Sequence, residues 1–183
     1  MTIQLLALSG SLRKASYNTA AIKALKKLAS SEIDIEIGSI AELPLFNPDR
    51  ESEEISSLQY LKGALKSADG LIISSPEYAH GISGPLKNAL DWLVSGDEFP
   101  FKPIMLINTS PRASHAQESL REVLRTMTGN IIEEATVSIP LLGSGLSASE
   151  IAQDPMLSSL ILSGLDVFVQ AILTNDTTNF DMT

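Results

Sequence analysis

A dense group of polar side chains follows the first apolar run of the chain, in "ALSGSLRKASYN", residues 7 to 18. Ser9, Ser11, Ser16 and Asn18 offer side-chain donors, Arg13 offers a planar charged fork, and Gly10 lets a backbone come close. A helix starting beyond them would add unpaired amides and the positive end of its dipole. Together these groups suit a monophosphate, because charge-assisted donors and a helix start both stabilise a compact anion. The simpler alternative is that Ser16 or Asn18 caps the helix and Arg13 is a solvated charge, but a cap needs one hydroxyl and no arginine. The stretch has neither the glycine, four residues, glycine, lysine order of a P-loop nor the three-glycine dinucleotide fingerprint. ATP-driven chemistry and ordinary dinucleotide-fold dehydrogenation are therefore disfavoured.

Two further loops bear on the same chemistry. In "SSPEYAHGISGPLKNALDWL", residues 74 to 93, Pro76 fixes a turn, Tyr78 and His80 present flat or polar groups, and Gly81 and Gly84 allow amides to face a ligand. A flat heteroaromatic ring would suit such a loop, although proline and glycine describe any tight turn equally well. Trp92, at helical spacing from core leucines, reads as packing, and Lys87 and Asp91 read as surface or bridging residues. In "NTSPRASHAQESL", residues 108 to 120, Ser110, Arg112 and Ser114 either complete the enclosure of a ligand or cap the following helix. His80 and His115 are the only histidines, and no neighbouring carboxylate spacing suggests a metal. No Gly-x-Ser-x-Gly elbow is present, which disfavours a serine hydrolase.

The elements that must position these loops alternate. Apolar runs at 3–8, 33–37, 70–74, 104–108 and 131–139 read as strands, the first, third and fourth nearly continuous in apolar residues, as in parallel strands covered on both faces. Between them, helical spacing predicts helices over about 17–28, 51–67, 84–95 and 115–127, with Glu118–Arg121 and Glu122–Arg125 as pairs on the fourth. Asp154 and Pro155 read as the cap and first residue of a last helix ending near Leu173, followed by a polar, flexible tail over 174–183. Five strands alternating with helices predict one α/β domain over 1–173, a doubly wound parallel sheet whose ligands bind beyond the carboxyl ends of the strands.

Composition narrows the classes. With 183 residues, 44% hydrophobic and 19% charged, the chain is long enough for one sizeable core and balanced as globular domains are. A formal net charge of −9 opposes phosphate backbones and anionic lipid surfaces, so neither nucleic acid nor a membrane is expected as partner. No apolar run reads as approaching the roughly 20 residues that span a bilayer, and no signal-type core follows the first residues, so a cytoplasmic protein is expected. With no cysteine there is no thiol nucleophile or thiolate site, and any redox chemistry must come from a cofactor.

Taken together, "GSLRKASYN" and "PEYAHGISGPLKNALDW" resemble the NADPH-dependent FMN reductase family, flavodoxin-like flavoproteins that include quinone, azo-dye and chromate reductases. The resemblance reaches to about residue 173 and implies a five-stranded sheet in the order 2-1-3-4-5 with FMN at its carboxyl edge. On that resemblance Ser9, Ser11, Arg13, Ser16, Tyr17 and Asn18 lie on the phosphate motif. Pro76, Glu77, Tyr78, Ala79, His80 and Gly81 lie along the isoalloxazine, and Ser110 to Ser114, with Arg112 between, form a third flavin-side loop. Many members have Asn in place of Ala79, Ser in place of Gly81 and Pro in place of Ser83. The implied reaction passes hydride from NADPH or NADH through FMN to a quinone or similar small acceptor in a two-step exchange, with no side chain catalytic in the usual sense. A homodimer or homotetramer is implied in the same way. The alternative is a flavodoxin-type FMN electron carrier with little nicotinamide turnover, whose usual threonine-glycine phosphate loop is absent here.

Overall fold

A computed structural model describes residues 2–112 and 114–180, with side chains described as far as residue 174. Its chain order is β1 (Ile3–Ser9), α1 (Tyr17–Leu28), β2 (Ile33–Gly38), α2 (Ser56–Ser67), β3 (Gly70–Ser74), β4 (Glu77–Tyr78) and β5 (Gly81–Ile82). There follow α3 (Gly84–Leu93), β6 (Pro103–Asn108), α4 (Ser114–Thr126), β7 (Asn130–Ile131), β8 (Val137–Ser138), α5 (Ala148–Gln153) and α6 (Pro155–Phe180). The main sheet runs β2-β1-β3-β6-β7, with β8 also on β6, and every pairing in it is parallel.

The apolar runs form central strands because both of their faces are covered. Along β1, Leu6 and Leu8 enter one core while Leu5 and Ala7 enter the other. In β3, Leu71 and Ile73 oppose Ile72, and in β6, Ile104 and Leu106 oppose Met105 and Ile107. The period-2 geometry of a strand thus divides one unbroken hydrophobic run between two layers. Helices α2, α3 and α4 cover the first core and α1, α5 and α6 the second. Each fully buried leucine contributes about 1.5–3 kcal/mol by leaving water.

The fifth apolar run is not one strand. It breaks into β7 and β8 around a single 3-10 turn at Glu133–Ala135, and the two dipeptides pair with opposite ends of β6, at Pro103–Ile104 and Ile107–Asn108. The turn points Glu133 at α4, where its carboxylate receives Arg121 Nε at 3.0 Å and Arg125 Nη2 at 2.9 Å. Those arginines therefore pair across the chain, rather than with Glu118 and Glu122 of their own helix. The same kink admits α6 at Gly164, where a Cβ would lie 2.4 Å from Val137 Cγ1.

Other elements differ from the sequence reading at their ends. Helix α2 begins at Ser56, not Glu51, because Pro48–Arg50 forms a separate 3-10 turn capped by Asn47, with Arg50 paired to Glu53. Helix α5 is an element beyond those the sequence periodicity predicts, and Ser147 and Glu150 form a reciprocal capping box around its first turn. Asp154 caps α6 as expected, its Oδ1 accepting from the Met156 and Leu157 amides at 2.9 Å. That helix continues past Leu173 to Phe180, and the last three residues of the anticipated tail lie outside the described residues. Over Pro155–Thr174 its mean hydropathy of 1.8 makes it long and apolar enough to cross a membrane by length and composition. Its serines hide this from a search for unbroken apolar runs. Leu157, Ile161, Leu165, Phe168 and Ile172 form a stripe packed in the second core, while Met156, Leu160, Val167 and Leu173 of the same helix stay exposed.

Candidate functional site

The carboxyl ends of β1, β3, β6 and β8 lie level, with Ser9 beside Ser74, Ser74 beside Ile107, and Asn108 beside Ser138. Above this edge the loops enclose a cleft of about 350 Å³. Its walls come from the β1–α1 loop, the β3–β4 turn and the β6–α4 loop, as an open α/β sheet with a reversal of strand order beside β1 requires.

The first wall presents unpaired donors. Ser16 caps α1 by accepting from the Thr19 amide at 3.3 Å, while the amides of Tyr17 and Asn18 have no acceptor among the described residues. They stand at the positive end of a 12-residue helix. The Arg13 side chain is exposed and meets no carboxylate among the described residues. Ser9 shapes this loop from beneath: its hydroxyl shares a 2.8 Å hydrogen bond with Thr19 Oγ1 and accepts from the Ser11 amide at 3.3 Å. Asn18, only 5% exposed, ties the three walls together. Its Oδ1 accepts from Ser74 Oγ at 2.9 Å and Thr109 Oγ1 at 3.1 Å. Tyr17 reaches the other way, its hydroxyl accepting from the Gly145 amide at 3.0 Å.

Gly10 serves a contact other than a ligand. Its amide donates to Ser74 O at 2.8 Å, its carbonyl accepts from Ser83 Oγ at 2.5 Å, and a Cβ there would lie 2.7 Å from Ser75 Oγ. The glycine lets the first and third loops touch. Ser83 meanwhile also accepts from the Leu86 amide at 3.3 Å and so caps α3.

The second wall is a two-stranded hairpin, β4 and β5, turning through Ala79 and His80. Both turn residues lie in the left-handed region, with φ of 49° and 58°, whereas Gly81 and Gly84 do not. The tight turn therefore falls on residues without glycine's freedom, next to the glycines expected to provide it. Glu77 faces the third wall: Oε2 accepts from the Ala116 amide at 3.0 Å and Oε1 lies 3.1 Å from His80 Nδ1. The Ala116 amide, then His80 and His115, hold the Glu77 carboxyl below its ordinary range. The rings of His80 and His115 meet edge to face with centroids 4.6 Å apart. The two histidines thus do adjoin a carboxylate: Glu77 lies three residues before His80 in the chain, and the fold brings His115 to the same place. Among the described residues no group of three His, Cys, Asp or Glu side chains is placed to hold a metal ion.

Of the anticipated site residues, Ser11, Arg13, Ser16, Tyr17, Asn18, Pro76, Glu77, Tyr78, Ser110 and Arg112 line the cleft. Ser9, Ala79, His80, Gly81 and Ser114 do not. Ala15, Ser75, Thr109 and Leu142 line it unanticipated. Leu142 is 67% exposed and precedes Gly143, at φ 80°. The "GSG" at 143–145 was the available signal for a turn returning to the cleft. Trp92 is buried packing, donating Nε1–H to Pro44 O at 2.8 Å, and Lys87 pairs with Asp91 one helical turn away.

The sequence profile described as NADPH-dependent FMN reductase matches residues 3–142. An NADH-dependent flavin reductase subunit 2 from Lactobacillus johnsonii is 36% identical over 130 residues, 67% of this chain and 70% of that one. A quinone reductase from Escherichia coli K12 is 34% identical over 130 residues, covering 67% and 69%. Among solved structures, FerB, a flavoenzyme NAD(P)H:(acceptor) oxidoreductase from Paracoccus denitrificans, superposes with a TM-score of 0.77 at 26% identity, covering 94% of this chain and 98% of that one.

Proposed function

The chain belongs to the NADPH-dependent FMN reductase family, and from that premise we propose how its cleft holds FMN and what passes through it. The activity is FMN-dependent NAD(P)H oxidoreduction with small quinone-like acceptors. Bound FMN supplies a ring that takes hydride from one substrate and gives electrons to the next. The residues present fit such a group: a start of α1 with two unpaired amides and an unpaired arginine suits its phosphate, and the wall of Pro76 and Tyr78 suits a flat ring.

In this reading Ser11, Arg13, Ser16, Tyr17 and Asn18 receive the phosphate, and Ser9 shapes their loop. Pro76, Glu77 and Tyr78 line the ring, with Ala79, His80 and Gly81 forming the hairpin that presents them. Ser110 and Arg112 close the third side, while Ser114 starts α4 outside the cleft. The fold is flavodoxin-like, with residues 1–173 as one FMN-binding domain and β7 and β8 sharing the fifth strand position. We further place the protein in the cytoplasm as a homodimer or homotetramer. Exposed Leu142 and Tyr78 at the rim of the cleft support a subunit contact there, and the charge of −9 supports the expectation of no nucleic acid or membrane partner.

The observation on which the reading chiefly rests is the pairing of the free Arg13 with the unpaired amides of Tyr17 and Asn18. Arg13→Ala is expected to lose FMN on dialysis while keeping its fold by circular dichroism. Full flavin occupancy in that variant would remove the phosphate assignment.

A further inference from the structure

Nine of the thirteen Lys and Arg side chains find a partner within the described chain. Arg50, Lys62, Lys66, Lys87, Arg121 and Arg125 pair with carboxylates, and Lys26, Lys27 and Lys102 donate to Ile35 O, Ser149 Oγ and Ala68 O. The four that remain, Arg13, Lys14, Lys23 and Arg112, all line the flavin cleft or one second pocket that adjoins it. In a chain with a formal charge of −9, such segregation of unpaired cations is a statement about what those surfaces meet.

The second pocket, of about 540 Å³, lies across the strip of residues 13–17 from the cleft and shares Arg13, Ala15, Ser16 and Tyr17 with it. Arg13, Lys14 and Lys23 line one side and Ser147 and Ser149 the other, and no Asp or Glu lines it. Nearby Glu150 does not line it and is engaged in its capping box, its Oε2 accepting from the Ser147 amide at 2.8 Å. Lys27, held at 2.6 Å from Ser149 Oγ, adds a further cation at the edge. With Arg13 committed to the start of α1, the unpaired Lys14 and Lys23, the hydroxyls of Ser147 and Ser149 and the absence of a lining carboxylate make a second anion site that adjoins the first.

Resting on the FMN reading above, we propose that this pocket receives the 2′-phosphate end of NADPH, with Lys14 and Lys23 as the residues that favour it over NADH. The placement is consistent with a co-substrate whose nicotinamide meets the flavin in the cleft. Its phosphorylated adenosine end then crosses residues 13–17 into the second pocket. Lys23 reaches the pocket from the first turns of α1, and Lys14 from the loop between the two sites.

Calorimetric titration of the FMN-loaded protein with adenosine 2′,5′-bisphosphate and with adenosine 5′-monophosphate tests this. The bisphosphate is expected to bind at least about tenfold more tightly, and Lys14→Ala/Lys23→Ala to abolish that difference while retaining flavin. In turnover the same double variant should lose about tenfold in selectivity for NADPH over NADH, through KM rather than kcat. Equal binding of the two nucleotides, a difference that survives the double substitution, or equal competition by inorganic phosphate would each overturn the proposal. The titration does not depend on turnover. Protein that binds no FMN would sink the flavin reading, while the nucleotide titration of that same protein would still decide this one.

Discussion

The Glu77 carboxylate accepts the backbone amide of Ala116 across 3.0 Å, so the hairpin after β3 caps the helix after β6. One side chain thereby fixes two walls of the cleft relative to each other, and the same contact favours its carboxylate form.

That contact makes a pH prediction with a definite sign. The Glu77 carboxyl lies lower in the folded protein than in the unfolded chain, so its contribution is complete above about pH 4.3 and is lost as pH falls through the lower, folded value. Wild-type Tm should therefore drop more steeply between about pH 5 and pH 3 than that of Glu77→Gln, which keeps an acceptor for Ala116 but no charge. Parallel Tm profiles would show that ionised Glu77 does not tie the walls.

Asn18 holds three loops through one oxygen. Asn18→Ala leaves the Thr109 hydroxyl without its acceptor and Ser74 with only Ile107 O, at a cost of about 1–3 kcal/mol. Thermal unfolding should register this as a fall of roughly 2–4 °C for each kcal/mol lost. Asn18→Asp keeps the acceptor and suits the start of a helix, but adds a negative charge beside the phosphate position. It should fold and yet retain FMN poorly. An Asp variant that holds flavin as tightly as wild type would count against the phosphate placement.

Ala79, at φ 49°, has a methyl group where the backbone favours none. Asn accepts that conformation more readily, and an alanine there costs on the order of 1 kcal/mol. Ala79→Asn should raise Tm by about 2–4 °C with no loss of flavin. A lowered Tm would mean that the turn is not left-handed.

What was legible in the sequence follows from range. The donor-rich loop over residues 9–18 could be read because its donors are neighbours in the chain and a helix start completes them. The central strands could be read because double burial leaves an unbroken apolar run. The fifth strand misled because its pattern, Ile131 to Ile139, is apolar enough for a strand, while its break is set by distant partners, Arg121 and Arg125 on Glu133 and Gly164 against Val137. The hairpin misled for a different reason: Gly81 and Gly84 advertise a turn whose left-handed residues are Ala79 and His80. Leu142 entered the cleft unseen, since only the folded sheet brings residue 142 beside residue 13. The capping box of Ser147 and Glu150 is legible in the sequence, but the helix it starts has six residues and shows little periodicity of its own.

The central claim is that this chain binds FMN and passes electrons to it from a nicotinamide. An anaerobic absorption spectrum of the purified protein, taken with FMN and again after NADPH or NADH, tests that claim most directly. The account predicts a protein-bound flavin spectrum that bleaches promptly on addition of nicotinamide and returns when a quinone is supplied. Flavin that binds but stays oxidised would contradict it in favour of an electron carrier, and protein that takes up no flavin would contradict it outright.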